Sequence, residues 1–188
     1  IYSGYSWNDH IVVIDNRFIS ERVNQIRNWN MDFIHGDILD KDLIKKYCEN
    51  ADIVHHLAGI TNVPRVKSES NVEHEKKIRS VTQQGTQNII DVISDKCKII
   101  MPSTHIVYEG IDKVKKNILE NEETKPVLSY AISKDINEKQ LKSSGKNYVI
   151  LRLGSVYGYS TDTARIDIMP NLFSKMASQN GILKLFAG

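Results

Sequence analysis

The sequence has 188 residues, of which 40% are hydrophobic, 26% are charged and 7% are aromatic. This composition is typical of a folded globular protein and excludes an intrinsically disordered one. Lysine and arginine (25) nearly balance aspartate and glutamate (23), and the two signs are interspersed, so a small molecule is the expected partner rather than nucleic acid or a membrane.

No apolar run approaches the roughly 20 residues that a membrane helix needs, and no charged and apolar leader precedes the first predicted strand. We therefore expect a cytoplasmic protein. Cys48 and Cys97 have neither metal-site nor CxxC spacing, so free thiols are expected. The chain opens on Ile1 without a methionine and closes on an apolar run, residues 185–188, which together indicate a fragment.

Short runs of β-favouring residues alternate with segments of helical periodicity along the chain. Strands are predicted at residues 11–14, 32–35, 52–57, 98–101 and 148–151. Helices are predicted at residues 19–26, 40–47, 72–93 and 128–141. This alternation predicts an α/β fold with a Rossmann-like, doubly wound parallel sheet. Ligands of such sheets bind beyond the carboxyl ends of the strands.

The pattern changes in the last part of the chain. Residues 109–126 are charged and irregular, which predicts a surface loop. Residues 168–177 predict another helix, introduced by Pro170. We expect two domains, with residues 1–164 forming the first and residues 165–188 beginning a smaller second one.

Three residues form the strongest chemical pattern in the sequence. Tyr130 and Lys134 are four positions apart near the start of a predicted helix, so both lie on one helix face. There the lysine ammonium can lower the pKa of the phenol and prepare it for proton transfer near neutral pH. Thr104 follows the fourth predicted strand and can offer its hydroxyl to the same substrate oxygen.

Seven segments together resemble the extended short-chain dehydrogenase/reductases, the family that includes the nucleotide-sugar epimerases and dehydratases. They match in the family's order and cover nearly the whole chain. The segments are Val-Val-Ile-Asp15-Asn16, Gly36-Asp37-Ile-Leu, Asp52-Ile-Val-His-His-Leu57-Ala58-Gly59, Gly85-Thr86-Gln-Asn88, Pro102-Ser103-Thr104-His-Ile-Val107-Tyr108, Tyr130-x-x-x-Lys134 and Leu151-Arg152-Leu-Gly-Ser-Val-Tyr157-Gly158.

The resemblance implies NAD as the cofactor, with residues 1–164 as an incomplete NAD-binding Rossmann domain and residues 165–188 as the beginning of the substrate-binding domain. Asp15 matches the acid that binds the adenosine ribose, and its charge would repel the 2′-phosphate of NADP, although Arg17 stands nearby. Asp37 matches the residue that binds the adenine amino group. The full set of implied cofactor-binding residues is Asp15, Asn16, Asp37, Ile38, Leu57, Ala58, Gly59, Tyr130 and Lys134.

The resemblance also implies roles in the reaction. Tyr130 would be the general acid/base, Lys134 would hold the nicotinamide ribose and tune Tyr130, and Thr104 would bind the reacting oxygen. Thr104, Ser155 and Asn171 would contact a nucleotide-diphosphate sugar. Family members often form homodimers through the helices that correspond to residues 72–93 and 128–141, so a homodimer is expected.

The sequence departs from the family pattern at several places. The glycine-rich phosphate-binding loop and the strand before it would lie upstream of Ile1, so the chain as it stands is expected to bind NAD poorly. Thr82 stands where the family often has an asparagine before Gly85, and Ser155 stands where some epimerases have asparagine.

The residues after Thr104 separate the subfamilies. In the nucleotide-sugar dehydratases of this family, the positions that match residues 104–106 typically read Thr-Asp-Glu or Thr-Ser-Glu. This chain has Ile106 in place of the glutamate, and an isoleucine cannot exchange a proton with the substrate. Residues 156–173 resemble the segment with which epimerase-like members begin to bind the nucleotide diphosphate, so an epimerase acting through a transient 4-keto sugar is the main hypothesis. A 4-keto reductase, whose corresponding segment residues 103–110 resemble, or a dehydratase of the same family is the first alternative, and a non-catalytic dinucleotide sensor is the second.

No metal site is expected. His55 and His56 are neighbours in a predicted strand and point to opposite faces, so they cannot easily share one ion, with or without His35. The lysines at 113, 115 and 116 lie in a predicted loop that also holds Glu120, Glu122 and Glu123, which indicates a solvated segment rather than a nucleic-acid site.

Overall fold

The structure is a computed structural model that describes residues 9–60, 72–159, 166, 168–179 and 181–183. Strands and helices alternate along it, as the sequence predicts. The strands are β1 (Val12–Asp15), β2 (Asp32–His35), β3 (Ile53–His55), β4 (Lys98–Thr104) and β5 (Asn147–Leu153). The helices are α1 (Ser20–Asn28), α2 (Lys41–Cys48), α3 (Val72–Val92), α4 (Ser129–Ser143) and α5 (Met169–Ser178).

The strands form parallel pairs whose register fixes where the polar strand ends lie. In the described part of the chain, β1 pairs with β2, and β3, β4 and β5 follow one another in a second sheet. Asp15 lies opposite His35, and His55 lies opposite Ile100. The predicted α/β fold with a parallel, Rossmann-like sheet is confirmed, and the carboxyl ends of paired strands meet at one edge.

One apolar core serves both sheets. Ile14 of β1 and Val54 of β3 pack against the same cluster of buried side chains. Burying each large aliphatic side chain of this kind contributes about 1.5–3 kcal/mol. The buried members of the cluster are Ile44, Cys48, Ile89, Ile90, Ile93, Cys97, Ile99, Met101 and Leu141.

Polar contacts fix the helices against the strand ends. Asp40 caps α2 by accepting a hydrogen bond from the Leu43 amide at 3.0 Å. Helix α3 passes close to the turn after β2, where a Cβ atom on Gly85 would lie only 2.8 Å from Ile38 Cγ2. Asn88 then donates to the Ile38 carbonyl at 3.0 Å, so α3 holds the Asp37–Ile38 turn in place.

The chain divides into two compact units, Ile1–Arg152 and Leu153–Gly188. The second unit contains α5, and Pro170 lies in its first turn. Proline has no backbone N–H, but the N–H groups of a first turn have no partner within the helix, so no helical hydrogen bond is lost. None of the helices in the described ranges is both long and apolar enough to cross a membrane.

Candidate functional site

Thr104 is the last residue of β4 and begins the next turn of the chain. It caps a short 3-10 helix, His105–Tyr108, and its Oγ1 accepts a hydrogen bond from the Ile106 amide at 3.4 Å. The residue is only 7% exposed. The structure therefore places the hydroxyl where the sequence predicts it, at the carboxyl end of a central strand.

Helix α4 brings Lys134 to the same strand end. The Lys134 ammonium donates to the Pro102 carbonyl at 3.0 Å, two residues before Thr104. It also lies 5.9 Å from the centre of the Tyr130 ring. Burial lowers the pKa of Lys134. A cation in this position stabilises the negative charge that develops on a phenol oxygen when it gives up its proton.

One turn further along α4, Glu138 ties the helix to two strands. The Glu138 carboxylate is 1% exposed and accepts hydrogen bonds from Ser103 Oγ at 2.6 Å and from Arg152 Nη2 at 2.6 Å. Burial acts to raise the pKa of Glu138, but hydrogen bonds from Arg152, Ser103 and Lys142 outweigh it and lower the pKa to about 2.

Arg152 extends this cluster into the loop after the 3-10 helix. Its guanidinium donates to the Tyr108 hydroxyl and to the Glu120 carbonyl, the latter at 3.1 Å. The Ser103–Glu138–Arg152 cluster therefore connects α4, which carries Tyr130, to β4, which ends at Thr104, and to β5 and the loop after the 3-10 helix. No sequence motif predicts this cluster, although positions 130, 134 and 138 are spaced by four and so share one helix face.

The predicted adenosine-binding residues lie together at the carboxyl ends of β1 and β2. Asn16 Nδ2 donates to Asp37 Oδ2 at 3.1 Å, and the Leu39 amide donates to Asp37 Oδ1 at 2.9 Å. Asp15 is exposed and accepts a hydrogen bond from the Arg17 amide at 2.8 Å. An exposed carboxylate, Asp15, and a half-buried one, Asp37, thus lie at the edge where ligands of such sheets bind.

The chain after β3 offers an apolar and open surface. Leu57 is 56% exposed, and Ala58 and Gly59 are exposed beside it. A Cβ atom added to Gly59 would meet no atom within 4 Å, so the backbone there is accessible to a flat ligand.

The second unit holds the two other predicted substrate-binding residues. Ser155 is exposed, and Asn171 accepts a hydrogen bond from the Gly158 amide at 3.1 Å. This contact ties α5 to the segment that follows β5. The predicted roles of Ser155 and Asn171 remain predictions.

The three histidines of the sequence analysis occupy different environments. His35 contacts the Asn16 carbonyl at 3.1 Å, His55 is half-buried, and His56 is buried against Thr86. Within the described ranges, no group of three His, Cys, Asp or Glu side chains is arranged to hold a metal ion.

The model of one family, described as the NAD dependent epimerase/dehydratase family, matches residues 6–187 of the chain. The chain belongs to the NAD-dependent epimerase/dehydratase family. The resemblance seen in the sequence is therefore confirmed.

Three similar proteins show how far the likeness extends. A curated relative from Arabidopsis thaliana, 3beta-hydroxysteroid-dehydrogenase/decarboxylase isoform 2, is 28% identical over an alignment of 145 residues, and the match covers 71% of this chain and 24% of the relative. A solved UDP-glucuronic acid 4-epimerase mutant from Bacillus cereus, in complex with NAD and a fluorinated UDP-sugar, is 24% identical with a TM-score of 0.70; the match covers 94% of this chain and 57% of that one.

The third is a UDP-glucose 4-epimerase from Thermotoga maritima, solved with UDP-glucose. It is 21% identical with a TM-score of 0.71, and the match covers 96% of this chain and 59% of that one. A structural match to proteins of 21–24% sequence identity shows that this chain shares their fold. The chain spans about a quarter of the length of the curated relative and somewhat more than half of each solved structure.

Proposed function

We propose that this chain supplies the catalytic residues of an NAD-dependent nucleotide-sugar epimerase that acts through a transient 4-keto sugar. One observation supports the proposal most strongly: the Lys134 ammonium lies on the Pro102 carbonyl, beside the Tyr130 ring and next to the end of β4, where Thr104 lies. A phenol, a cation and a hydroxyl so arranged are the groups that proton transfer at a sugar hydroxyl requires.

The described residues fit NAD as the cofactor. Asp15 and Asp37 present carboxylates at adjoining strand ends, suited to ribose hydroxyls and an adenine amino group, and the open backbone at Gly59 leaves room for a nucleotide. The assigned cofactor-binding set is Asp15, Asn16, Asp37, Ile38, Leu57, Ala58, Gly59, Tyr130 and Lys134. NAD, when bound, supplies the acceptor and donor of hydride.

The side chains of the protein would transfer the proton and bind the substrate oxygen. Tyr130 would take the proton of the sugar C4 hydroxyl and later return it. Lys134 would stabilise the phenolate, and Thr104 would hydrogen-bond the C4 oxygen in both its hydroxyl and keto forms. Ser155 and Asn171 are proposed to bind the nucleotide-diphosphate part of the substrate.

The proposal extends to assembly and location. Ile132, 39% exposed, and Ile136 line a shallow cavity between α3 and α4, and a second copy of the chain would cover this apolar surface in a homodimer. Cys48 and Cys97 are free and buried, which fits the reducing environment of the cytoplasm.

Replacing Tyr130 by phenylalanine tests the proposed mechanism. In the whole protein, Tyr130→Phe should lower kcat on a nucleotide sugar by about two to four orders of magnitude, the range for losing a general acid/base. NAD affinity, measured by calorimetry, should stay within about twofold of the wild-type value. Tyr148→Phe, at an exposed position of β5, is the matched control and should behave as wild type.

The products on a panel of UDP-, GDP- and dTDP-hexoses and their 4-keto derivatives separate the alternatives. An isomer of unchanged mass, formed without net consumption of cofactor, supports the epimerase. A product that gains hydrogen from NAD(P)H would make the protein a reductase. Loss of water would contradict the interpretation of Ile106, and wild-type turnover by Tyr130→Phe would remove Tyr130 from the mechanism.

A further inference from the structure

His56, directly after β3, is the most deeply buried histidine of the described residues. It is 4% exposed, and its amide donates to the Ile100 carbonyl at 3.0 Å, which fixes its backbone against β4. Its ring Nε2 lies 2.8 Å from Thr86 Oγ1 on α3. The other ring nitrogen, Nδ1, is buried and has no hydrogen-bond partner among the described residues.

The surroundings of Thr86 indicate which nitrogen of His56 carries the proton. Asn137 of α4 donates from Nδ2 both to Thr86 Oγ1 and to the Thr82 carbonyl. Thr86 Oγ1 can accept a second hydrogen bond while its own proton turns to the carbonyl one helical turn back, that of Thr82. His56 Nε2–H then donates to Thr86, and Nδ1 presents a lone pair.

Electrostatics support the same tautomer. Burial, followed by the charge of Lys134, lowers the pKa of His56 to about 4, so the ring is neutral at physiological pH. A cation near the ring favours a lone pair over a buried N–H on the unpartnered nitrogen.

The strand geometry brings the Lys134 ammonium to the end of β3 that His56 follows. Carbonyls two residues apart in a strand point to the same side, so the Pro102 carbonyl points towards the continuation of β3, as the Ile100 carbonyl does. The chain turns away there, because the Leu57 amide donates to the His55 carbonyl at 3.0 Å. The Lys134 ammonium takes the position of the missing strand donor.

The Lys134 ammonium has two further N–H groups that need hydrogen-bond acceptors. The acidic side chains of its own helix have other partners. Asp135 accepts hydrogen bonds from Thr124 at 2.6 Å and is paired with Lys139, and Glu138 is bound by Arg152, Ser103 and Lys142. Among the described residues, the Nδ1 of His56 is a buried side-chain nitrogen without a partner, and its lone pair can serve one of these N–H groups through a bridging water.

We propose that His56 is a positioning residue: its Nδ1 accepts a hydrogen bond from one buried water, to which the Lys134 ammonium also donates, and so holds the ammonium beside Tyr130. Thr86 and Asn137 fix the ring from its other side. The consequence for catalysis rests on the proposed function, whereas the contact between the two side chains does not.

The tautomer of His56 tests the contact in the wild-type chain. The ring 15N chemical shifts of the 188-residue chain, with the His56 signals assigned by their loss in His56→Asn, distinguish a protonated nitrogen from a lone pair. We expect Nε2 protonated and Nδ1 unprotonated at neutral pH. The opposite tautomer would overturn the proposal.

Two near-isosteric variants test the contact from the lysine side. The amide of His56→Asn occupies the place of Nδ1, whereas the amide of His56→Gln reaches the place of Nε2. Lys134 is titrated by its 13Cε signal, assigned with Lys134→Arg. The pKa of Lys134 should fall further in His56→Gln, because the ammonium loses an acceptor, and should stay at the wild-type value in His56→Asn. Equal behaviour of the two variants would contradict a contact through Nδ1.

Turnover in the whole protein tests the consequence for catalysis. Loss of one hydrogen bond to a charged group predicts about a tenfold lower kcat for His56→Gln, an unchanged KM for the nucleotide sugar and recovery in His56→Asn. Wild-type kcat in an active His56→Gln protein would refute the positioning role. An inactive wild-type protein would refute the proposed function instead, and the NMR titration would still decide the contact.

Discussion

The buried ion pair between Glu138 and Arg152 allows the sharpest prediction about stability. The two side chains are 1% and 13% exposed, and their closest nitrogen and oxygen atoms are 2.6 Å apart. Arg152→Met removes the buried cation and leaves the buried Glu138 carboxylate with Ser103 and with Lys142, whose side chain is 47% exposed. Leaving one charge of a buried pair without its partner typically costs about 3–5 kcal/mol.

The titration of Glu138 leads to a similar magnitude. A carboxyl whose pKa falls from 4.5 to about 2 on folding contributes about 3 kcal/mol to the free energy of unfolding at neutral pH. Because the folded pKa is the lower one, this contribution is complete above pH 4.5 and is lost as the pH falls towards 2. We therefore expect Arg152→Met to lower the free energy of unfolding by about 3 kcal/mol at pH 7.

Urea unfolding of the 188-residue chain, followed by circular dichroism between pH 2 and pH 7, measures both effects. Lys41→Met is the matched control: Lys41 is 54% exposed and its partner Asp91 is 35% exposed, so its loss should cost less than about 1 kcal/mol. Adding Glu138→Gln to Arg152→Met should restore part of the lost stability, because the double variant buries no unpaired charge. A cost below about 1 kcal/mol for Arg152→Met would refute the reasoning.

Two further substitutions test local features of the fold. Asp40→Ala removes the cap of α2 and should lower the free energy of unfolding by about 1 kcal/mol in the same urea assay, and no change would mean that the cap is not formed in solution. Gly110→Ala places a Cβ atom 2.5 Å from the Lys125 carbonyl oxygen and should cost about 1–3 kcal/mol. Gly154→Ala, whose Cβ meets no atom within 4 Å, is its control, and equal effects of the two would contradict the close approach.

Periodicity and strand ends made much of the fold and site predictable. The predicted strand at residues 32–35 coincides with β2, and the predicted helix at 128–141 differs from α4 by two residues or fewer at each end. Tyr130 and Lys134 share a face because helix geometry requires it, and Thr104 lies at a strand's carboxyl end because β4 ends there. These features depend on local sequence alone.

The parts that the sequence did not reveal depend on contacts between distant segments. Arg152 and Glu138 are on different elements, and no local pattern shows that an inward position of β5 faces the third turn of α4. His56 was judged only as a possible metal ligand, because its burial against Thr86 depends on how α3 packs over β3. The 3-10 helix at His105–Tyr108 also went unpredicted, since its cap is a single threonine hydroxyl.

The fate of hydrogen at the sugar C4 tests the central claim most directly. The whole protein is incubated in ordinary water with UDP-hexoses deuterated at C4, and the products are separated by chromatography and weighed by mass spectrometry. The account predicts a C4 epimer that keeps the deuterium, formed without net consumption of NAD. A product that lost deuterium to water, lost a molecule of water or consumed NAD(P)H would contradict an epimerase that acts through Tyr130, Lys134 and Thr104.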